Sequence, residues 1–410
     1  MMAAATTNKQ VRSAHIHDDI AVFILSKLPL KSLARFTCVQ KSWSLLFENP
    51  FFVNMFHNNF LSKDDEDDDN ETRLLLKKRT NGYPFHYSLC IFSGERLEDR
   101  VILDWPTPFQ DDVYPIEILG STSVNGTLCL YQDINDEITI VLWNPSTGEF
   151  KVIPPSVQPY DNIELNFHPH GFGYIRDRDD YKVIRRSKYP VGFEGNWVCV
   201  PEKENPLWEM DYLASFWESD VIEMYDPFWE IYSLRSNSWR KLDGVDHMPV
   251  PWKDSSRVNL NEWCHWLDKK YMVSFDFSNE MFSVTNLPPY SSNIMEELLN
   301  RHLGVLNQCV ALVYTVANTA SFHVWILNEL GVEESWAKLF VVKPSTRIIC
   351  AIGIGIKSGI LYIKRNMELA LIDLSTQTSE DIGVEAELAC QKIVMYKENL
   401  LPFPFGETNN

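Results

Sequence analysis

The chain has 410 residues, of which 56 are acidic and 37 basic, and its formal net charge is −19. This negative charge argues against a nucleic-acid-binding protein, since nucleic acid is bound by a basic face. No stretch approaches the roughly 18 apolar residues that cross a bilayer, so we do not expect a membrane protein. The eight cysteines lie singly and the first 14 residues hold no apolar core, so we expect reduced thiols and a cytoplasmic or nuclear location.

Short helices are predicted near the start of the chain. Asp18 and Asp19 can cap a helix, after which apolar residues recur at spacings of three and four. These residues are Ile20, Phe23, Ile24 and Leu28. Val22 and Leu25 lie off that face, so the helix is apolar on more than one side. Pro29 ends the helix, because proline lacks an N–H and disfavours helical geometry in the preceding residue.

Further short helices follow this proline. The second can span residues 31–36, the third residues 40–47, and another reaches Leu61. Together these helices have more apolar surface than so small a core can cover. We therefore predict a docking module in residues 15–61 that completes its core on a partner. The alternative is an ordinary helical hairpin packed on the domain behind it.

One run within these helices, LSKLPLKSLARFTCVQKSW from Leu25 to Trp43, resembles the F-box in the form common in plants. The resemblance implies a three-helix module that binds a Skp-type adaptor and, through it, the cullin of a ubiquitin ligase. The family usually has Leu-Pro where this chain has Ile16-His17. We predict adaptor contacts, some of them shared with the core, at Ile20, Leu25, Leu28, Pro29, Leu33, Val39 and Trp43.

An acidic run separates the helices from the rest of the chain. Residues 63–71 carry seven carboxylates, which repel one another and offer nothing to bury. We predict a linker over residues 62–83, either a solubilising spacer or an electrostatic tail for a basic partner. The basic triplet Lys77-Lys78-Arg79 is expected to form a solvated turn. Residues 1–14 and 404–410 are expected to be a disordered N-terminus and a tail.

From residue 84 to about 403 the apolar period changes from 3.6 to 2, which predicts β-structure. A hairpin of strand, polar turn and returning strand recurs at residues 142–154, 231–242, 273–282, 324–339 and 369–378, with a weaker first copy at 89–102. Inner strands are predicted at residues 126–130, 180–184, 263–267, 309–316 and 359–363. The residues that precede the turns are 51, 89, 43, 50 and 47 positions apart.

A repeat of about 45 residues with two outer strands per copy is typical of a propeller blade, which is a four-stranded sheet. We predict about six blades, with the gap of 89 as one blade that carries a long insertion. Five or seven blades are the alternatives. The predicted fold class is therefore α+β multidomain, a three-helix F-box followed by an all-β, propeller-like domain over residues 84–403.

Several phrases of this second region also resemble a known family. LWNPSTGEF, GFGY, DDYKVI, YSLRSNSWRKL, CHWL and ESWAKLF occur in the order found in the plant F-box-associated interaction domain, which is similar to kelch-type propellers. The resemblance implies a substrate receptor of a Skp–cullin–F-box ubiquitin ligase, whose β-domain binds a target protein. The alternative is a protein- or glycan-binding module with a weakened F-box and no ligase role.

No catalytic residue, metal site or cofactor is predicted. His168 and His170 lack third and fourth ligands at a plausible spacing. Cys264 and His265 are neighbours on a strand and point to opposite faces, so buried packing is the better interpretation. The glycines of residues 353–359 do not have the spacing of a phosphate loop, and a strand follows them instead of a helix.

The insertion between Tyr189 and Tyr225 is rich in aromatic and acidic residues. Aromatic side chains on loops give a large contact area at a low entropic cost, which is typical of binding hot spots. We predict target contacts at Trp197, Trp208, Tyr212 and Trp217. The alternative is that these rings close the propeller or cover its end.

Overall fold

The structure is a computed structural model, and it divides the chain into two compact units, Met1–Glu66 and Asp67–Asn410. The residues that it describes are 18–28, 32, 36, 43, 46, 49, 52, 55–56, 72–79, 86–94, 97, 99–109, 114–134, 137–156, 166–188, 190–193, 196–199, 228–245, 248–249, 256–268, 270–288, 301–316, 319–332, 335–356, 359–385 and 390–400.

The first unit begins with helix α1 (Asp18–Ser26). At its end the Ser26 hydroxyl donates to the Phe23 carbonyl at 2.8 Å, and Lys27 N donates to the Ile24 carbonyl at 3.1 Å. The buried apolar residues described in this unit are Leu25, Leu46, Phe52 and Phe56. The rings of the two phenylalanines stack with centroids 6.1 Å apart. The described residues of the predicted second helix, Ser32 and Phe36, are helical.

The second unit consists of β-strands. Those of its first half are β1 (Thr72–Arg79), β2 (Tyr87–Ser93), β3 (Asp99–Leu103), β4 (Ile116–Val124), β5 (Thr127–Ile134), β6 (Glu137–Trp143), β7 (Phe150–Val152), β8 (Asn166–Ile175), β9 (Asp180–Lys188), β10 (Pro190–Phe193), β11 (Asn196–Cys199), β12 (Trp229–Ser233) and β13 (Ser238–Leu242). Those of its second half are β14 (Arg257–Leu260), β15 (Trp263–Leu267), β16 (Tyr271–Asp276), β17 (Met281–Asn286), β18 (Arg301–Leu306), β19 (Cys309–Val316), β20 (Ser321–Leu327), β21 (Trp336–Val342), β22 (Ile348–Ile356), β23 (Gly359–Lys364), β24 (Glu368–Asp373), β25 (Ser379–Glu385) and β26 (Cys390–Lys397).

Apart from the hairpin of β10 and β11, the described strands form six four-stranded antiparallel sets, which we call blades. Five of them run in chain order: β4-β5-β6-β7, β8-β9-β12-β13, β14 to β17, β18 to β21 and β22 to β25. The sixth, β26-β1-β2-β3, combines the C-terminal strand with the first three strands, and a parallel pair, Met395 with Thr122, joins it to the first. The first strands of the blades contact one another in a closed cycle, so the unit is propeller-like.

The predicted hairpins are the third and fourth strands of the blades, and six blades agree with the expected number. The insertion behind the gap of 89 residues lies between β9 and β12, as predicted, and includes the hairpin of β10 and β11. The predicted inner strands are the second strands of their blades, and a further strand, the first of the blade, lies inside each of them.

The structure differs from the prediction for residues 62–83, because residues 72–79 form β1. This strand pairs with β2 on one side and with β26 on the other, and it buries Leu74, Leu75 and Leu76. Lys77, expected in a solvated turn, is fully buried, and its Nζ lies 3.0 Å from Glu117 Oε1. The acidic run before β1 lies outside the described residues.

The two ends of the blades differ in their connections. Tight turns join the first strand to the second and the third to the fourth, and residues with positive φ occupy them, such as Asn125, Asp179 and Asn261. We call this the turn end. At the opposite end, the loop end, lie the connections from the second strand to the third and from one blade to the next, including the long one between β9 and β12. The chain enters β1 at the turn end, next to the end of β26.

Candidate interaction surfaces

Helix α1 has apolar side chains on two opposite sides. Leu25 and Ser26 are buried, with 4% and 2% of their surface exposed. Ile20, Phe23 and Ile24 lie on the opposite side and keep 55%, 48% and 48% of their surface exposed. We call these three residues the α1 exposed face. A helix that buries one side and presents an apolar second side has a surface suited to a protein partner.

The predicted adaptor contacts are distributed between surface and core. Ile20 is exposed, Leu28 and Trp43 are half-buried, and Leu25 belongs to the core. Three further predicted contacts, Pro29, Leu33 and Val39, lie outside the described residues.

Sequence reasoning left out two members of the α1 exposed face as contacts, Phe23 and Ile24. The signal for both was present, since they share the helical period of Ile20. Phe36 is a further exposed aromatic residue, and its ring meets that of Trp43 edge to face with centroids 6.0 Å apart.

The predicted target-binding residues belong to the long connection at the loop end. Trp197 lies on β11, where it pairs with Gly192 of β10. Trp208, Tyr212 and Trp217 lie outside the described residues. The structure therefore places the insertion at the loop end of the second blade. Contacts between its aromatic side chains and a target stay a prediction.

The adjacent residues Cys264 and His265 do not form a nucleophile pair. His265 Nδ1 lies 2.7 Å from Ser274 Oγ, whereas Cys264 packs against Gly171 of the neighbouring blade. Burial raises the pKa of the Cys264 thiol to about 12 and lowers the pKa of His265 to about 3. At neutral pH the thiol stays protonated and the imidazole neutral, as expected for packed core groups.

The buried, neutral state of His265 predicts how the free energy of unfolding changes in acid. Its pKa falls from 6.5 to about 3 on folding, so below pH 6.5 the unfolded chain binds a proton that the folded chain does not. This residue therefore contributes a loss of stability as pH falls from 6.5 towards 3, at about 1.4 kcal/mol per pH unit. We expect His265→Gln to reduce the loss between about pH 6.5 and 4.5 by about 2 to 3 kcal/mol, measured by urea unfolding.

The control is His86→Gln, at an exposed position on the strand edge before β2. An equal change of slope in this variant would show that the loss of any histidine, and not the burial of His265, produces the effect. If His265→Gln also keeps the parental slope, the neutral state of this histidine is not a source of acid sensitivity.

Other chemistry is not indicated by the described residues. Among them, no three His, Cys, Asp or Glu side chains lie together in a way that could hold a metal ion. The glycine-rich run at 353–359 covers the end of β22 and the start of β23, which is a strand pair as predicted. No helix in the described ranges is both long and apolar enough to span a membrane.

Comparisons with known proteins agree with this architecture. The family model described as the F-box associated beta propeller domain matches residues 103–398. The F-box protein CPR1 of Arabidopsis thaliana is 24% identical over 353 residues, which cover 81% of this chain and 74% of that protein. The F-box/kelch-repeat protein At3g22730 of the same plant is 25% identical over 344 residues, covering 79% and 75%. The match to the solved structure of TolB from Acinetobacter baumannii covers 80% of this chain and 69% of that chain, with 13% identity and a TM-score of 0.41.

Proposed function

Since this chain belongs to the F-box associated beta propeller family, we propose that it is the substrate-recognition subunit of a Skp–cullin–F-box ubiquitin ligase. Relatives that share most of its length are named F-box proteins, which supports this role in general terms. In the proposed role the helical unit binds a Skp-type adaptor, and through it a cullin, while the propeller-like unit binds a target protein.

The α1 exposed face is the observation that carries the adaptor-binding part of the proposal. Full burial of a large apolar side chain contributes about 1.5 to 3 kcal/mol, and Ile20, Phe23 and Ile24 each keep about half of their surface exposed. Covering the rest of all three would contribute about 3 kcal/mol, or roughly a hundredfold in affinity. We add Leu28, Trp43 and the predicted contacts Pro29, Leu33 and Val39 to the proposed adaptor surface.

In the proposed mechanism the protein acts by positioning the target protein. A ligase subunit that holds a target near a charged conjugating enzyme raises the effective concentration of the target's lysines. Such a subunit needs no nucleophile of its own, which is consistent with the inert state of Cys264 and His265. We place target recognition at the loop end, with Trp197, Trp208, Tyr212 and Trp217 of the insertion as the proposed contacts.

The test is binding of the full chain to a plant Skp-type adaptor by titration calorimetry. We expect Ile20→Gln, Phe23→Gln and Ile24→Gln together to weaken binding by about a hundredfold or more, because the apolar area is lost while glutamine preserves the helix. The matched control replaces three exposed apolar residues of the propeller-like unit, Val101, Ile102 and Met281, with glutamine.

Two results would contradict the proposal in different ways. Equal adaptor binding by the triple variant and the parent would show that another surface carries the contact. No adaptor binding by the parent chain would favour the second candidate function, a binding module outside the ligase. The residues Ile16-His17, where the family usually has Leu-Pro, are the observation that supports that second candidate.

A further inference from the structure

Two connections at the loop end bring exposed cations together. Residues 343–347, KPSTR, join β21 to β22, and Arg365 begins the connection from β23 to β24. Arg365 N donates to the Arg347 carbonyl at 2.9 Å, so the two connections are in contact. Lys343, Arg347 and Arg365 are all exposed, and neither connection contains an acidic residue. We call these three residues the loop-end cationic cluster.

The positive field extends to neighbouring strands. His323 on β20 has its pKa lowered by partial burial and then by the nearby charges of Lys338 and Lys343. His302, near the start of β18, has its pKa lowered by burial and by Lys392 of β26. A protonated imidazole is thus disfavoured at two places at this end of the blades, mainly by burial and in addition by neighbouring lysines.

Two acidic groups of the same blade are already engaged, and a third, Glu385, lies opposite Glu368 at the end of β25. Glu368 and Asp381 both contact the ammonium group of the buried Lys364, at 2.5 and 2.9 Å, so this lysine already offsets part of their negative charge. In the fourth blade, Glu329 lies on the opposite side, at the turn end between β20 and β21. The cationic cluster therefore contrasts with the rest of a chain whose net charge is −19.

We propose that the loop-end cationic cluster binds an acidic segment of the target protein. This inference rests on the proposed function and adds the chemical class of the target. Arginine presents a planar fork of donors that matches a carboxylate, and two arginines with a lysine can hold successive Asp or Glu side chains. Oppositely charged surfaces also accelerate the encounter of the partners at low salt.

A protein segment fits this surface better than a nucleic acid. A nucleic acid carries a dense line of phosphates over many ångströms and would meet the negative charge of the remaining surface. A short acidic segment interacts mainly within a Debye length, about 8 to 10 Å near physiological salt, and so meets only the local cluster.

The test measures binding of a fluorescein-labelled peptide of alternating Glu and Gly to the full chain, purified with its adaptor. Fluorescence anisotropy is recorded at about 50 mM and about 300 mM NaCl, since attraction between charges is screened by salt. We expect Lys343→Glu, Arg347→Glu and Arg365→Glu together to weaken binding about tenfold or more at low salt. We also expect binding by the parent to weaken at the higher salt concentration.

The control variant has the same change in net charge at the turn end, where Arg176→Glu, Arg178→Glu and Arg235→Glu replace three exposed arginines. This variant should bind the peptide within about twofold of the parent, because its changes lie more than a Debye length from the cluster. Adaptor binding is measured on both variants, and parental values there separate a failure of this inference from a failure of the proposed function.

Four results would overturn the inference. The first is no peptide binding by the parent, and the second is equal weakening in the two charge-reversal variants. The third is displacement of the peptide by a single-stranded RNA oligonucleotide at lower concentration than by unlabelled peptide. The fourth concerns the chain's own insertion, whose residues 200–227 hold eight carboxylates and one lysine. If the peptide binds only after Glu202, Glu204 and Glu209 are changed to glutamine, the insertion itself occupies the cluster.

Discussion

A chain that ends before Cys390 is expected to lose cooperative unfolding altogether. β26 is the first strand of the sixth blade, and it pairs with β1 from Thr72 opposite Lys397 to Lys78 opposite Cys390. It also buries Val394 and Tyr396 completely. Without it, β1 has an unpaired edge and the cycle of first strands is open, and the lost burial and pairing are comparable to the whole stability of a domain. Circular dichroism during thermal unfolding measures this outcome.

The matched control is a chain that ends after Leu400. It keeps β26 and the contacts that follow, in which Asn399 Nδ2 donates to the carbonyl and to Oδ1 of Asn125, both at 3.0 Å. The Asn399 carbonyl in turn accepts a hydrogen bond from Asn144 Nδ2, which follows β6, at 2.7 Å. This control should unfold as the full chain does. A sharp thermal transition in the chain that ends before Cys390 would show that the other five blades are stable without closure.

The sequence predicted the outer part of each blade and not the innermost strand. The third strands are buried along most of their length, whereas fourth strands such as β13 and β17 are mostly exposed or half-buried. Polar turns join the two, so an apolar run followed by a turn and a more polar returning strand marks each hairpin in the sequence. The first strands pack closely on neighbouring blades, where alternation is weak. At Gly304 of β18 an added Cβ would lie 2.2 Å from Ile354 Cγ2 of β22, so close packing requires glycine there.

β1 could not be recognised from local sequence. Its apolar core, Leu74 to Leu76, is only three residues long and lies between an acidic run and a basic triplet. Its partner β26 lies at the other end of the chain, so no turn or hairpin signal joins the two. The burial of Lys77 depends on Glu117 of β4, a contact that also spans separate blades.

The candidate surfaces were predictable to different degrees. The helical period of α1 predicts apolar residues on two sides, but period alone does not show which side the rest of the unit covers. The structure shows that Leu25 is covered and Ile20 is exposed. The loop-end cationic cluster has no sequence signature, since Lys343, Arg347 and Arg365 come from two connections that only the sheet order brings together.

Glu230→Ala is expected to cost about 3 to 5 kcal/mol of stability, measured by denaturant unfolding. Arg185 and Glu230 form a buried pair in the second blade, with Arg185 Nη2 and Nε at 2.8 and 3.1 Å from one Glu230 oxygen. The guanidinium lies 3.6 Å from the Trp239 ring centroid. Burial lowers the pKa of Arg185 to about 10, which shows how strongly this site disfavours a charge, and Glu230 opposes that shift. Alanine at position 230 would remove this counter-charge and leave the cation buried.

Two comparisons separate this cost from the value of the pair itself. The double variant Arg185→Met with Glu230→Leu removes both charges and should be much closer to the parent in stability, because buried pairs can be replaced by apolar residues of similar volume. Glu398→Ala breaks the ion pair between Arg73 and Glu398, in which both side chains are about one third exposed. It should lower the free energy of unfolding by less than about 1 kcal/mol. Glu230→Ala would prove no more destabilising than Glu398→Ala only if water reached Arg185 in the folded protein. The second blade would then be less tightly packed next to the insertion than its buried side chains indicate.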